Sequence, residues 1–412
     1  MDNKKRLMVI GGGAAGFFCA VTAARLNPAL DVMIVEKSGK LLSKVKVSGG
    51  GRCNVTHACY GIPEMIKKYP RGMNFLKKSF HQFFTTDTIR WFAKRGVPLK
   101  TEEDGRMFPV TDSSQTIIEC LLREANANSV QIRMNREVTS LKNENGSWQI
   151  VFADGEVAEA DFVCVASGGY STITKFRWLL DLGHTVEEPV PSLFTFNLPG
   201  HPVRQLMGVS TPAKVKIVGS KLVETGPVLI THWGLSGPAV LRLSAWGARE
   251  LSATDYDFSI VVNWLPDFSE QELRNSLQGY RTVAAQKKIY NHHSFEIPQR
   301  LWQFLCEQSG ITPVMRWGDL PAAFQSRLVN NLSNCTFGVK GKTTFKEEFV
   351  TAGGIRLSEI DANTMESKKC PGLYFAGEIM DVDGITGGFN FQHAWTSGFI
   401  AGKSIAGRSI AR

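Results

Sequence analysis

Gly11, Gly13 and Gly16 stand at G-x-G-x-x-G spacing directly behind the apolar run Leu7, Met8, Val9 and Ile10. A second apolar run, residues 32–35, ends at Glu36, at the spacing of about 20 residues that sets an acid beside a ribose diol. The chemistry on offer is dinucleotide recognition. The first glycine permits a tight turn, the second lets backbone approach a pyrophosphate, and the third lets a helix pack on the strand with its free N–H groups facing the phosphates. This half alone does not separate FAD from NAD. The last 45 residues carry a second set: residues 373–376 read as a strand, Gly377-Glu378 as its turn, Gly387-Gly388 as another glycine pair, and Asn390 as the opening of a helix. A carboxylate after a strand suits ribityl hydroxyls, and a helix N-terminus suits the pyrimidine edge of a flavin. With both halves in place the pattern is that of FAD.

Other chemistry-bearing residues are fewer. The run Gly49-Gly50-Gly51, between Ser48 and Arg52, reads as a loop able to turn successive N–H groups onto an anion. Residues 166–169, Ala-Ser-Gly-Gly, form another small-residue turn suited to close cofactor approach. Arg52 is a candidate to hold an anionic substrate or a reduced flavin. Cys53 and Cys59 lie in the region where disulfide reductases carry C-x-x-x-x-C, but the spacing is one residue too long, so Cys53 is expected to pack or to face the flavin. His232 and His393 are candidate acid–base groups by residue type, yet neither has an identifiable partner, and structural roles are expected of both. The catalytic residue is left open. No metal set is expected, since the eight cysteines show no C-x-x-C pair.

The positioning elements follow from periodicity. A helix is expected from Ala14 to about Leu26, and residues 64–128 read as mainly helical. Thr86 is the expected cap of DTIRWFAKR, Gly96 its stop, and Ser114 opens QTIIECLLREA. Residues 130–134, 137–141, 148–152 and Val157, with turns at Asn145-Gly146 and Asp154-Gly155, read as a β-meander. Residues 160–165 read as a buried strand. From about Pro191 short alternating strands appear (214–218, 228–231, 258–264), Ser269 and Glu272 make a capping box that opens a helical stretch to about Leu332, and residues 335–345 return to strand. The 412 residues suffice for two or three domains. A composition of 43% hydrophobic and 21% charged residues is that of an ordinary globular protein. No apolar run approaches a membrane span or a signal-peptide core, so a cytoplasmic protein is expected. A net charge of +9 favours anionic partners without choosing among them. Basic clusters at Lys67, Lys68, Arg71, Lys77 and Lys78 and at Arg281, Lys287 and Lys288 come with no nucleic-acid module. The second cluster reads as a solvated helix face.

The segments VIGGGAAG with Glu36, VSGGGRCNVTH, GRMFP, ASGGYS, ITHWGLSGPAVLRLS, TAGGI and the 364–402 run through GLYFAGEIMDVDGITGGFN together resemble, over nearly the whole chain, the YhiN/BaiN-like FAD-dependent oxidoreductases, an aminoacetone-oxidase-like family. The resemblance implies an α/β fold: a two-part, glutathione-reductase-like Rossmann domain that binds FAD (residues 1–190 and 346–412), an inserted β-barrel-like domain (191–268 and 333–345) and a small helical subdomain (269–332). It implies that Gly11, Gly13, Ala14, Ala15 and Gly16 hold the pyrophosphate, that Glu36 holds the adenosine ribose with Lys37 beside it, and that Lys44, Ser48, Gly50, Gly51 and Asn54 line the flavin side. Val138 would meet adenine by its backbone, Ala166, Ser167 and Gly168 would approach the adenosine half, and Gly377, Glu378, Asp381, Gly388, Phe389 and Asn390 would surround ribityl and isoalloxazine. Two departures stand out. Leu42-Ser43-Lys44 replaces the family's Gly-Arg-Lys, and residues 170–176, YSTITKF, replace its S-x-P-x-x-G-S stretch.

The implied activity is hydride transfer through flavin N5 to or from a small organic substrate, by C=C reduction or by amine or alcohol oxidation. NADH or NADPH is a candidate reductant, docking without a second glycine fingerprint. Two alternatives stay open: an FAD-dependent tRNA-modifying enzyme, and a non-catalytic flavin-binding or redox-sensing protein. A small-molecule partner is expected over nucleic acid or membrane. Substrate choice is expected to live in the insert, and the oligomeric state stays open.

Overall fold

The computed structural model describes residues 4–144, 146–343 and 350–410. The chain divides into two compact units, Met1–Ser192 with Phe345–Arg412, and Leu193–Thr344.

In the first unit the apolar run after Lys5 forms strand β1 (Arg6–Ile10), helix α1 covers Ala14–Leu26 and strand β2 covers Asp31–Glu36. They enter a five-stranded parallel sheet in the order Leu373–Phe375, Phe162–Val165, β1, β2, Gln131–Met134. Leu7, Met8 and Val9 are shut off from solvent, as strands covered on both faces require. Each buried aliphatic side chain contributes about 1.5–3 kcal/mol. The chain's C-terminal helix, Phe389–Ile410, lies along α1. Gly398 and Gly402 make this contact possible: a Cβ on either would stand 2.5 Å from the Ala15 carbonyl oxygen or 2.4 Å from that of Cys19. The two sequence-distant halves of the Rossmann unit are therefore joined backbone to backbone.

Local expectations needed revision at several places. Gln131–Met134 is not the first strand of the meander but the edge of the parallel sheet. Asn135, at φ +58°, turns the chain out of that sheet, and the meander is Val138–Glu144, Ser147–Phe152 and Val157–Ala160. Alternation alone does not tell these apart. A helical turn opens at Ser43 ahead of the glycine run, which is itself irregular as expected: Ser48 is extended, and Gly49, Gly50 and Gly51 take φ of +59°, +68° and +85°. The helix Thr85–Ala93 is capped not by Thr86 but by Asp87, whose carboxylate accepts the Phe84 N–H at 2.9 Å. Ser113, not Ser114, caps the helix Ser114–Ala127. Asn145, Thr344 and Phe345 lie outside the described residues.

The second unit is a seven-stranded antiparallel sheet with helices. Strand Ser210–Ile217 alternates exposed and buried residues along its length, and Ala213, Val215 and Ile217 enter a core shared with Leu273, Trp302, Trp317 and Leu328. The Ser269–Glu272 capping box opens helix Glu270–Val283 as expected. Cys335–Lys340 pairs with Asp257–Asn263. No helix among the described residues is long and apolar enough to cross a membrane.

Candidate functional site

The three glycines of the first turn have three different surroundings. Gly11 takes φ +113°, donates its N–H to the Val35 carbonyl at 2.8 Å and lies against Ala166. Gly16 is jammed: a Cβ there would stand 2.0 Å from the Gly11 carbonyl oxygen. Gly13 faces open space, with nothing within 4 Å of a Cβ. The first intrahelical bond of α1 runs from the Phe17 N–H to Gly13. The N–H groups of Ala14, Ala15 and Gly16 are thus not used by the helix and stand at its positive end. Glu36 closes the turn, accepting the Gly12 N–H at 2.9 Å on one oxygen and the Ser38 N–H at 2.9 Å on the other. Gly50, Gly51 and Gly168 resemble Gly13 in having nothing near an added Cβ.

The C-terminal half is pinned at nearly every residue. Gly377 lies against Ala15 of α1, donates its N–H to Ser397 Oγ at 2.9 Å and accepts at its carbonyl from His393 Nε2 at 3.2 Å. Glu378 accepts the Thr351 N–H at 2.9 Å on one oxygen and pairs with Lys44 through the other. Asn54, with its amide oriented to satisfy both neighbours, donates to the Thr56 carbonyl at 3.0 Å and accepts the Gly388 N–H at 2.9 Å. Asn390 bonds Gly384 twice, at 2.8 and 2.9 Å. Phe389 accepts the Tyr69 hydroxyl at its carbonyl, 2.7 Å away, while its ring stacks on His57 with centroids 4.7 Å apart. His57 Nδ1 reaches the Gly387 carbonyl at 3.1 Å, and burial pulls its pKa down against the pull of that carbonyl. Asp383, fully buried, is gripped on both oxygens by Arg71 and by Ser192 Oγ at 2.8 Å. The turn ahead of the C-terminal helix is therefore held rigid, and that helix begins its own ladder only at the Gln392 N–H.

Among the residues expected at the site, the glycine turn, Glu36, Ala166 and Ser167 meet at the C-terminal ends of β1 and its neighbours, where an open α/β sheet binds its ligand. Lys44, Gly377 and Glu378 join them through the ion pair and the Ala15 contact. Asp381 donates its N–H to the Ile355 carbonyl at 3.1 Å. Val138 begins the meander, half-buried. Ser48 Oγ bonds the Val45 carbonyl at 3.1 Å, so its side chain serves its own turn. The amides of Asn54 and Asn390 are likewise spent on backbone.

Arg52 departs from its expected role, while His393 and Cys53 take the structural roles expected of them. Arg52 is paired within the protein: its guanidinium bonds Glu102 at 2.5 Å and lies 4.0 Å from the centroid of Phe108. His393 is fully enclosed, its Nδ1 has no partner, and burial lowers its pKa to about 4, so it is a neutral strut beneath Gly377. Burial likewise pushes the Cys53 thiol up to about 12, the reverse of a reactive thiolate. His232 is exposed in the second unit, its carbonyl accepting from Arg204 at 2.5 Å. The sequence reading missed Thr351, Tyr69 and Arg71. The glycine pair of TAGGI was a signal for Thr351; nothing marked the other two.

A parallel sheet with a glycine turn, an acid on the second strand and open space in front of the helix N–H groups defines a nucleotide-binding protein of the Rossmann type. The chain belongs to the family described as HI0933-like protein Rossmann domain, whose model matches residues 5–404. It is 29% identical to a 3-dehydro-bile acid delta(4,6)-reductase of Clostridium scindens, over 98% of this chain and 99% of that one. It is also 29% identical to a ribosomal RNA dihydrouridine synthase of Escherichia coli, over 97% of each chain. In fold it is similar to a 3-ketosteroid-delta4-(5alpha)-dehydrogenase of Rhodococcus jostii solved with 4-androstene-3,17-dione. The TM-score is 0.53 at 13% identity, covering 98% of this chain and 97% of that one.

Proposed function

We propose that the protein is an FAD-dependent oxidoreductase that reduces a carbon–carbon double bond conjugated to a carbonyl in a small organic substrate. The observation that carries the reading is the two-part cradle: a glycine turn with no neighbour near Gly13 and with Glu36 bonded to Gly12, joined through Ala15 and Gly377 to a second carboxylate, Glu378. The donor set suits FAD. Ser167 Oγ and Thr351 Oγ1 are buried polar atoms without partners beside this cradle, and a polyhydroxylated, phosphorylated cofactor supplies the groups they lack. Gly11, Gly13, Ala14, Ala15 and Gly16 hold the pyrophosphate, Glu36 the adenosine ribose, and Glu378 the ribityl chain, with Lys44 balancing its charge. Gly387, Gly388 and Phe389, held by His57, Asn54 and Tyr69, keep the helix start fixed toward the flavin. When bound, the flavin supplies hydride transfer through N5.

The relatives' names favour the reductive direction, because the bile-acid reductase and the dihydrouridine synthase both saturate a C=C bond next to a carbonyl. The same names support a second reading, in which the reduced base is a uracil within RNA. The net charge of +9 suits that substrate. NADH or NADPH is the proposed reductant. Eight free cysteines suit a cytoplasmic setting.

The test is anaerobic. FAD-loaded protein, reduced by NADPH, NADH or dithionite, is mixed with a 3-keto-Δ4 steroid, an aliphatic enone, an amine and a uridine-containing ribosomal RNA fragment. Reoxidation by an enone, with the saturated ketone as product, is the expected result. Reoxidation by RNA alone selects the second reading, and reoxidation by none of the acceptors removes the C=C proposal.

A further inference from the structure

The loop at residues 170–176 places an aromatic ring beside Lys37, the residue next to the acid of the nucleotide turn. Tyr170 is half-buried, its ring centroid 5.7 Å from the ammonium of Lys37 and its edge set against Phe176 at 4.9 Å and 81°. Burial raises its phenol above the ordinary tyrosine range. The ring therefore sits beside Lys37, the residue that follows Glu36, in the loop that follows Ser167 and Gly168. These are the residues assigned to the adenosine half of the cofactor. Two further observations point to a ligand at this spot. Ser167 Oγ is buried without a hydrogen-bond partner, and Gly168 next to it opens onto empty space.

We propose that Tyr170, steadied by Lys37, is an adenosine-side ligand of the dinucleotide that strengthens the binding of FAD and not of FMN. The inference rests on the FAD reading and deepens it. FMN shares the isoalloxazine, ribityl and first phosphate with FAD but lacks the AMP half, so a contact at Tyr170 is made by one flavin and not the other. The aromatic ring offers contact area to adenine or its ribose, and its hydroxyl, beside that of Ser167, offers hydrogen bonds there.

The experiment titrates apoprotein, as full-length wild type and as Tyr170→Ala, Tyr170→Phe and Lys37→Ala, with FAD, FMN and ADP, following flavin fluorescence and ADP calorimetry. Tyr170→Ala is expected to weaken FAD and ADP by the same factor, about 10-fold for a lost base–aromatic contact, with FMN affinity unchanged. Tyr170→Phe keeps most of the FAD affinity, and Lys37→Ala shows a smaller loss confined to FAD and ADP. The proposal is overturned if Tyr170→Ala binds FAD and ADP as wild type does, or if FMN weakens as much as FAD. Should Tyr170→Ala fail to fold, Tyr170→Leu, which keeps bulk without a π face or a hydroxyl, carries the same expectations. A wild type that binds ADP but not FAD removes the flavin reading and leaves the adenosine site standing; one that binds neither removes both.

Discussion

Gly13 and Gly16 are three residues apart, and alanine at each should fail in a different way. At Gly13 the backbone is at φ −95°, ψ −172°, open to any L-residue, and the new Cβ meets nothing within 4 Å. Alanine there gains about 0.4–1 kcal/mol by restricting the unfolded chain. It loses about the same as a poorer N-cap, so apoprotein stability should hold. What suffers is binding, because the methyl group occupies space meant for the pyrophosphate. An overpacking cost of about 1–3 kcal/mol weakens FAD by roughly 5–150-fold. At Gly16 the Cβ stands 2.0 Å from the Gly11 carbonyl oxygen. That peptide cannot recede, since the Gly11 N–H is bonded to Val35 and Gly11 itself touches Ala166. A helix-propensity gain of about 1 kcal/mol is outweighed by a clash at or above about 3 kcal/mol. The net loss of about 2 kcal/mol should lower the melting temperature by roughly 4–8 °C. Calorimetry of both apoproteins, with FAD titrations alongside, checks the pair. A Gly13→Ala that melts as low as Gly16→Ala, or a Gly16→Ala at the wild-type temperature, refutes the reasoning.

Three further outcomes follow from the buried polar groups. Arg71→Ala strands the Asp383 carboxylate, whose side chain has no exposure, and should cost about 3–5 kcal/mol in urea unfolding; a loss below about 1 kcal/mol contradicts the pinning of the turn. His393, with its folded pKa lowered to about 4, takes up its proton more readily when unfolded. Its contribution is complete above about pH 6.5 and is lost as pH falls toward 4, about 3 kcal/mol in all. Urea titrations of His393→Gln should show a flatter pH dependence than wild type over that window, and identical slopes would speak against it. Iodoacetamide at pH 8, followed by peptide mass mapping, should label the half-buried Cys59 well before Cys53, and equal rates would disprove the burial argument for Cys53.

The nucleotide turn was legible in sequence because its three glycines sit in fixed local geometry, and so were the strands and helix around it. The Ser269–Glu272 cap was legible for the same reason. Gln131–Met134 was misassigned because an alternating strand carries no mark of its partner; only Asn135, in a left-handed turn, separates it from the meander. Arg52 looked free because its partners, Glu102 and Phe108, are about 50 residues away in sequence. A separation of 312 and 320 residues hid Arg71 and Tyr69, whose bonds reach Asp383 and Phe389. Long-range ionic and side-chain-to-backbone contacts leave no periodicity behind, and these are what hold the second half of the site in place.

Equilibrium binding of FAD to the apoprotein is the measurement closest to the central claim. One FAD per chain should bind, with the flavin fluorescence quenched, and Glu36→Ala or Gly13→Ala should weaken it while leaving the apoprotein folded. A wild-type protein that takes up no FAD, or that binds it equally well with Gly13 and Glu36 both replaced, would contradict the account.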